Sequence, residues 1–230
     1  MKDMFTIKYN DPRLDLYVTN AYTILNNMIV SSKMPTYEIS LYLDSSMNTE
    51  TYGFASWYSQ EILLNENKMD KMVTLNDVEY PILSVVLIHE ILHIFGAVGL
   101  GTVGFNYVYG ESDTPPNVYT GKHGLQQYKN VLIENNIDNK NIDYLPIEDD
   151  FENGTVRVHL EEGTDEEYNP EKRYINGVYY PVITNEIMTG FIDKHNYITP
   201  ITLGLLEDLG FTVNYDSIYV TSVGEHLDIR

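Results

Sequence analysis

The 230-residue chain contains no cysteine, so disulfides, thiol catalysis and cysteine-ligated metal are all excluded. Positive charge is scarce as well: 14 Lys+Arg face 34 Asp+Glu, for a formal net charge of −20. A molecule this acidic repels phosphate backbones and anionic headgroups, which argues against nucleic acid as a partner. The acidity itself reads as solubility, with calcium sites or a salty habitat as alternatives. No apolar run is long enough to span a bilayer, so no membrane insertion is expected. The first residues, Met1-Lys2-Asp3-Met4-Phe5-Thr6-Ile7, lack the apolar core of a secretory signal, and synthesis without a signal of its own is the expectation. Internal repeats and low-complexity linkers are also missing, which points to one compact unit.

What is present is a hydrophobic content of 43%, ample for a buried core. Residues 14–28 read as a helix, with Leu16, Ala21, Leu25 and Met28 at helical spacing. Residues 38–43 alternate like a strand, with Ile39, Leu41 and Leu43 on one side. Within the mixed segment 52–64, residues 61–64 read as an edge strand. The most apolar segment, 81–95, opens on Pro81 and stops at Gly96, which favours a buried helix over a strand. Residues 99–117 are loop-like, 124–135 form a short helix, and 136–169 are irregular with short strands. Thr199 is a natural N-cap, Pro200 a first helical residue, and Gly210 a terminator for a last helix. A lobe boundary is expected just after the Gly-rich turn, giving lobes of residues 1–98 and 99–230 in one domain overall.

Chemistry concentrates in His89-Glu90-Ile91-Leu92-His93, the pattern H-E-x-x-H. On a helix, residues four apart share a face, so His89 and His93 converge on a single ion. Glu90 sits on the adjacent flank, where it can address a water on that ion. As an alternative, the helix merely contains polar residues, but burying His89, Glu90 and His93 among Val85, Val86, Leu87 and Ile88 without a partner is costly. A catalytic zinc takes three protein ligands and keeps a position for water. His123, His159, His195 and His226 are the candidates for the third. The pattern continues as Ile94-Phe95-Gly96, and Gly96 lets the chain turn back sharply after the helix.

Six stretches, in serial order, resemble the leishmanolysin-type branch of the metzincin zinc peptidases. They are His89 to Gly96; Tyr119-Thr120-Gly121 before a helix; Leu145-Pro146-Ile147-Glu148; Gly154-Thr155-Val156-Arg157-Val158-His159; Asn185-Glu186-Ile187-Met188-Thr189-Gly190; and Ile201 to Asn214. The likeness covers about residues 80–215. In the commonest metzincins a third His follows three residues after the glycine, where this chain has Gly99; in the leishmanolysin-type branch an insertion intervenes. The resemblance therefore implies His159 as third zinc ligand and Met188 as the methionine of the turn beneath the metal. It further implies an α+β metzincin-like fold, with a twisted mixed sheet and the zinc helix in the first lobe and a mostly irregular second lobe ending in a helix.

By that resemblance the activity is zinc-dependent endopeptidase hydrolysis of a polypeptide substrate, with Glu90 as general base. An edge strand within 52–64 would pair with the substrate above the metal. Glu186 is read either as orienting a ligand from behind or as a solvated loop carboxylate, and His123 and His195 as surface residues, His195 being the stronger rival for the metal. Departures from the family are Leu160 where Trp is common after the third ligand, and the missing cysteines, which rule out a cysteine switch. These departures bring the chain nearer to short bacterial or viral relatives, leaving cytoplasmic synthesis with virion association or release open. A calcium site in the acidic run 161–167 matches no loop signature, and a solvated surface is the expectation there. A non-catalytic metzincin-like module of a larger assembly and a hydrolase of non-peptide amides are the rival functions. Neither an oligomeric state nor an oxyanion-stabilising side chain is indicated.

Overall fold

Helix α1 shows how local signals set the first element. The Asp11 carboxylate accepts the N–H of Arg13, Pro12 opens a short 3₁₀ turn, and α1 follows over Asp15–Met28. Tyr17, Val18, Ala21, Leu25 and Met28 form its buried stripe. Leu16, expected in that stripe, is instead 55% exposed, because at about 100° per residue it falls on the opposite side of the helix. The computed structural model from which these elements are taken describes residues 4–99, 106–107, 117–148, 156–162 and 174–217.

The strands in chain order are β1 (Phe5–Lys8), β2 (Ile29–Ser32), β3 (Tyr37–Asp44), β4 (Gly53–Ser56), β5 (Glu61–Asn65), β6 (Met72–Leu75), β7 (Val78–Pro81), β8 (Val118–Tyr119), β9 (Leu145–Pro146), β10 (Tyr174–Ile175), β11 (Val178–Tyr179), β12 (His195–Asn196) and β13 (Phe211–Val213). With α2 (Ile82–Phe95), α3 (Lys122–Glu134) and α4 (Pro200–Asp208) they make a mixed α+β molecule. The largest sheet has four strands in the order β1-β3-β5-β4, with β4 antiparallel to β5 and the other pairings parallel.

The segment 61–64, read from sequence as an edge, is an inner strand. It pairs with β3 from Ser40↔Glu61 to Asp44↔Asn65 and with β4 from Gly53↔Leu64 to Ser56↔Glu61. Ile62 and Leu64 are completely buried, so the more polar, glycine-containing β4 is left on the rim. Helix α2 packs against α1, β4 and β5. Almost every one of its residues is buried, as its nearly unbroken apolar sequence requires.

Two pairings tie the end of the chain to its beginning. β12 runs parallel to β6 in a three-stranded sheet with β7, and β13 lies antiparallel to β2. One hydrophobic core runs from Phe5 to Phe211 and so crosses the expected boundary between residues 98 and 99. Helix α3 begins at Lys122, earlier than the expected residue 124, because the Asp208 carboxylate accepts the N–H groups of His123 and Gly124 at 2.9 Å each. Helix α4 starts as expected: Thr199 Oγ1 accepts the N–H of Ile201, and Pro200 occupies the first turn. A Cβ at Gly204 would lie 2.7 Å from the His123 carbonyl oxygen and 2.9 Å from the Gly124 nitrogen, so glycine is what allows α3 and α4 to approach.

No helix among the described residues is long and apolar enough to cross a membrane. Most of the loop expected over 99–117, residues 154–155 of the histidine-bearing stretch, and residues 163–167 of the acidic run lie outside the described residues. Glu161 and Glu162, the described start of that run, are 3% and 9% exposed, contrary to a solvated surface; neighbouring chain covers them, Glu161 through hydrogen bonds to Pro146 and Ile183.

Candidate metal centre

Helix α2 presents His89 and His93 one turn apart and ends at Gly96, whose φ of 102° is left-handed. The Gly96 N–H donates to the His93 carbonyl at 2.9 Å, closing the helix right behind the second histidine. His159 arrives on a separate segment clamped from two sides. Glu148 N–H donates to the His159 carbonyl at 3.0 Å, and Leu160 N–H donates to the Met188 carbonyl at 2.8 Å. Leu160 also bridges Ile147 and Thr189, so His159 stands between the chain after β9 and the Met188 turn.

The three imidazoles meet at their Nε2 atoms. His93 Nε2 is 2.9 Å from His89 Nε2 and 3.1 Å from His159 Nε2, and His89 and His159 are 3.2 Å apart at the same atoms. A tetrahedral ion with metal–nitrogen bonds of about 2.0–2.1 Å separates its ligands by about 3.3 Å, so the triangle matches one face of such an ion closely. Among the described residues these histidines form the single group of three or more His, Asp or Glu ligand atoms within 4.8 Å of one another. Glu161 and Glu162 belong to no such group among the described residues. The buried triad is thus able to bind a metal ion.

Hydrogen bonding orients the rings. His89 Nδ1 donates to the Ile187 carbonyl at 2.6 Å, which leaves its Nε2 as the bare, ligating nitrogen. The Ala97 carbonyl is the polar group facing His93 Nδ1, outside good hydrogen-bond geometry. Burial lowers the pKa of His89, and for His93 burial followed by the neighbouring imidazoles lowers it further. Both rings are therefore neutral at pH 7, the form that ligates a cation. Burial also pushes the Glu90 carboxyl up to about 8. A cation at the triad would oppose that shift and favour the carboxylate.

Met188 is completely buried, and its carbonyl accepts the N–H of Leu160, the residue after His159, at 2.8 Å. Its position is set by Glu186, likewise completely buried, which excludes the solvated reading of that residue. The Glu186 carboxylate accepts from Met188 N–H at 2.5 Å, Thr199 N–H at 3.3 Å, Thr199 Oγ1 at 3.1 Å and Thr202 Oγ1 at 2.5 Å. It thereby staples the turn to the start of α4. Burial raises its pKa to about 7, against the lowering by these donors.

The sequence reading took Thr199 only as a helix cap and gave Thr202 and the Ile187 carbonyl no part. Neither part carries a local signal, because both depend on the turn folding against α4 and α2. The other histidines stand apart from the centre. His195, exposed on β12, has Nδ1 2.9 Å from Thr74 Oγ1, while His123, exposed on α3, has Nδ1 3.4 Å from Glu207 Oε2. His226 lies outside the described residues.

No family model and no curated protein matches the chain.

Proposed function

We propose that the chain is a zinc-dependent endopeptidase of the leishmanolysin-like branch of the metzincins, with His89, His93 and His159 as ligands and Glu90 as general base. The observation that carries this reading is the convergence of three imidazole Nε2 atoms, each 2.9–3.2 Å from the others, beside a buried carboxylate next to His89 in sequence. Three imidazoles suit zinc, and three ligands leave a tetrahedral ion one position for water. The mixed sheet with an antiparallel rim strand, the glycine-ended helix and the buried Met188 turn also support the metzincin assignment.

When bound, zinc supplies Lewis acidity, polarising the scissile carbonyl and lowering the pKa of a water to about 7. The residues of the chain do the rest. Glu90 accepts the proton of the attacking water on its carboxylate and delivers it to the leaving nitrogen. The Ile187 carbonyl holds the His89 ring so that Nε2 stays turned inward. Glu186 fixes Met188 and, through it, the height of that carbonyl.

Metal analysis of the purified protein together with cleavage of a peptide library tests the proposal. Glu90→Gln is expected to retain zinc and lose cleavage. Cleavage unaffected by that change would exclude Glu90 as base, and zinc without any cleavage in the unaltered protein would favour a non-catalytic module.

A further inference from the structure

Glycine offers a strand no side chain to pack, so a glycine at a paired strand position facing a helix calls for a reason. Gly53 opens β4, in register opposite Leu64, and its φ is not in the left-handed region. Backbone conformation is therefore not the reason. Space is: a Cβ at this position would lie 2.6 Å from Glu90 Oε1, 3.2 Å from Glu90 Cγ and 2.5 Å from Val86 Cγ1. Val86 and Glu90 stand one turn apart on α2, and the strand position facing them carries no side chain. Among the described residues no hydrogen bond holds the Glu90 carboxylate, although the side chain is only 7% exposed. Among the described residues its place is set by contact, and the space a Cβ at Gly53 would fill is space the carboxylate borders.

We propose that Gly53 is a positioning residue: by lacking a Cβ it gives the Glu90 carboxylate the one place from which it can act, and it sets how closely the rim strand approaches the active-site helix. The inference rests on Glu90 acting as the base. Any side chain at 53 must displace the carboxylate, the Val86 side chain, or the strand. A misplacement of about 1 Å in a group that transfers a proton lowers turnover by about 100-fold while leaving ground-state binding nearly intact.

The test compares the full chain with Gly53→Ala, with Val86→Ala, and with the pair, in zinc content, kcat and KM on a peptide selected with the unaltered protein, and in Tm. Gly53→Ala should keep its zinc and its KM and lose about 100-fold in kcat. In the Val86→Ala background, which frees the other contact, Gly53→Ala should cost less Tm than in the unaltered chain and should still lower kcat. Unchanged kcat in Gly53→Ala, or full recovery of kcat in the pair, would overturn the proposal. Should Gly53→Ala alone fail to fold, the pair carries the comparison.

A second arm does not depend on catalysis. Gly53→Ala should lower Tm more in the unaltered chain than in the Glu90→Ala chain, where the clashing carboxylate is gone. Equal Tm losses would overturn the proposal. If no peptide is cleaved by the unaltered protein, the endopeptidase reading falls while this thermal comparison still decides whether Gly53 makes room for Glu90.

Discussion

Replacing Glu186 by Ala should destabilise the protein and loosen the metal centre together. The change removes the acceptor of two buried backbone N–H groups, Met188 and Thr199, and of two hydroxyls, Thr199 and Thr202. The hydroxyls can rotate toward other acceptors, but the two N–H groups cannot move. Each buried donor left unpaired costs about 1–3 kcal/mol, a gross loss of about 2–6 kcal/mol. Relief of carboxylate burial offsets part of it, since the same burial raises the Glu186 pKa to about 7. A net loss near 2 kcal/mol is expected at neutral pH.

The offset gives the prediction a pH signature. Because the folded-state pKa lies above the ordinary 4.5, the native state holds an extra proton between those values, and the contribution of Glu186 to stability falls as pH rises through about 7. The stability difference between the unaltered protein and Glu186→Ala should therefore be larger at pH 5.5 than at pH 8, changing by at most about 1.4 kcal/mol per pH unit. Urea unfolding of the metal-free proteins at the two pH values measures it. Zinc affinity should drop 10- to 100-fold in parallel, as for the loss of a group that orients a ligand. A loss below about 0.5 kcal/mol at both pH values, or a difference that grows with pH, would refute the reasoning.

His159→Ala should weaken zinc binding by more than about 100-fold, beyond the cost of removing an outer partner, whereas His123→Ala and His195→Ala should leave it unchanged; competition titration with a chromophoric chelator measures all three. Stripping zinc should lower Tm, and restoring it at about 1,000 times its Kd should return about 4 kcal/mol of stability, read by calorimetry. Gly204→Ala should cost about 1–3 kcal/mol in urea unfolding, because the groups it meets at 2.7 and 2.9 Å are backbone atoms of the neighbouring helix α3. Glu162 is held up to about 9, first by burial and then by Glu148 and Asp193, so its contribution is present at low pH and fades as pH rises through about 9. Glu162→Gln should flatten the fall of Tm between pH 6 and 9, and an unchanged slope would count against the shift.

The local elements could be read from the chain because their signals are local. The apolar run ending at Gly96 became α2, Thr199-Pro200 opened α4, and the alternation over 38–43 became β3. Leu16 departs from the expected stripe because a spacing of five from Ala21 is out of helical phase, and the strand at 61–64 is an inner one because strand neighbours depend on how distant segments pair. Pairing of β13 with β2 and of β12 with β6 had no local trace, since each joins residues more than a hundred positions apart.

The site divides along the same line. That His89 and His93 share a face follows from helix pitch, and that Glu90 flanks them follows with it. Spacing alone left four histidines open as a third partner. Only the packed molecule decides among the described ones, by carrying His159 to 3.1 Å from His93 while leaving His123 and His195 on the surface. The burial that moves the Glu90 carboxyl, the four donors on Glu186 and the bare backbone of Gly53 arise in the same way. Covalent geometry fixes what lies one helical turn apart; contacts between distant segments exist only once the core has closed around them.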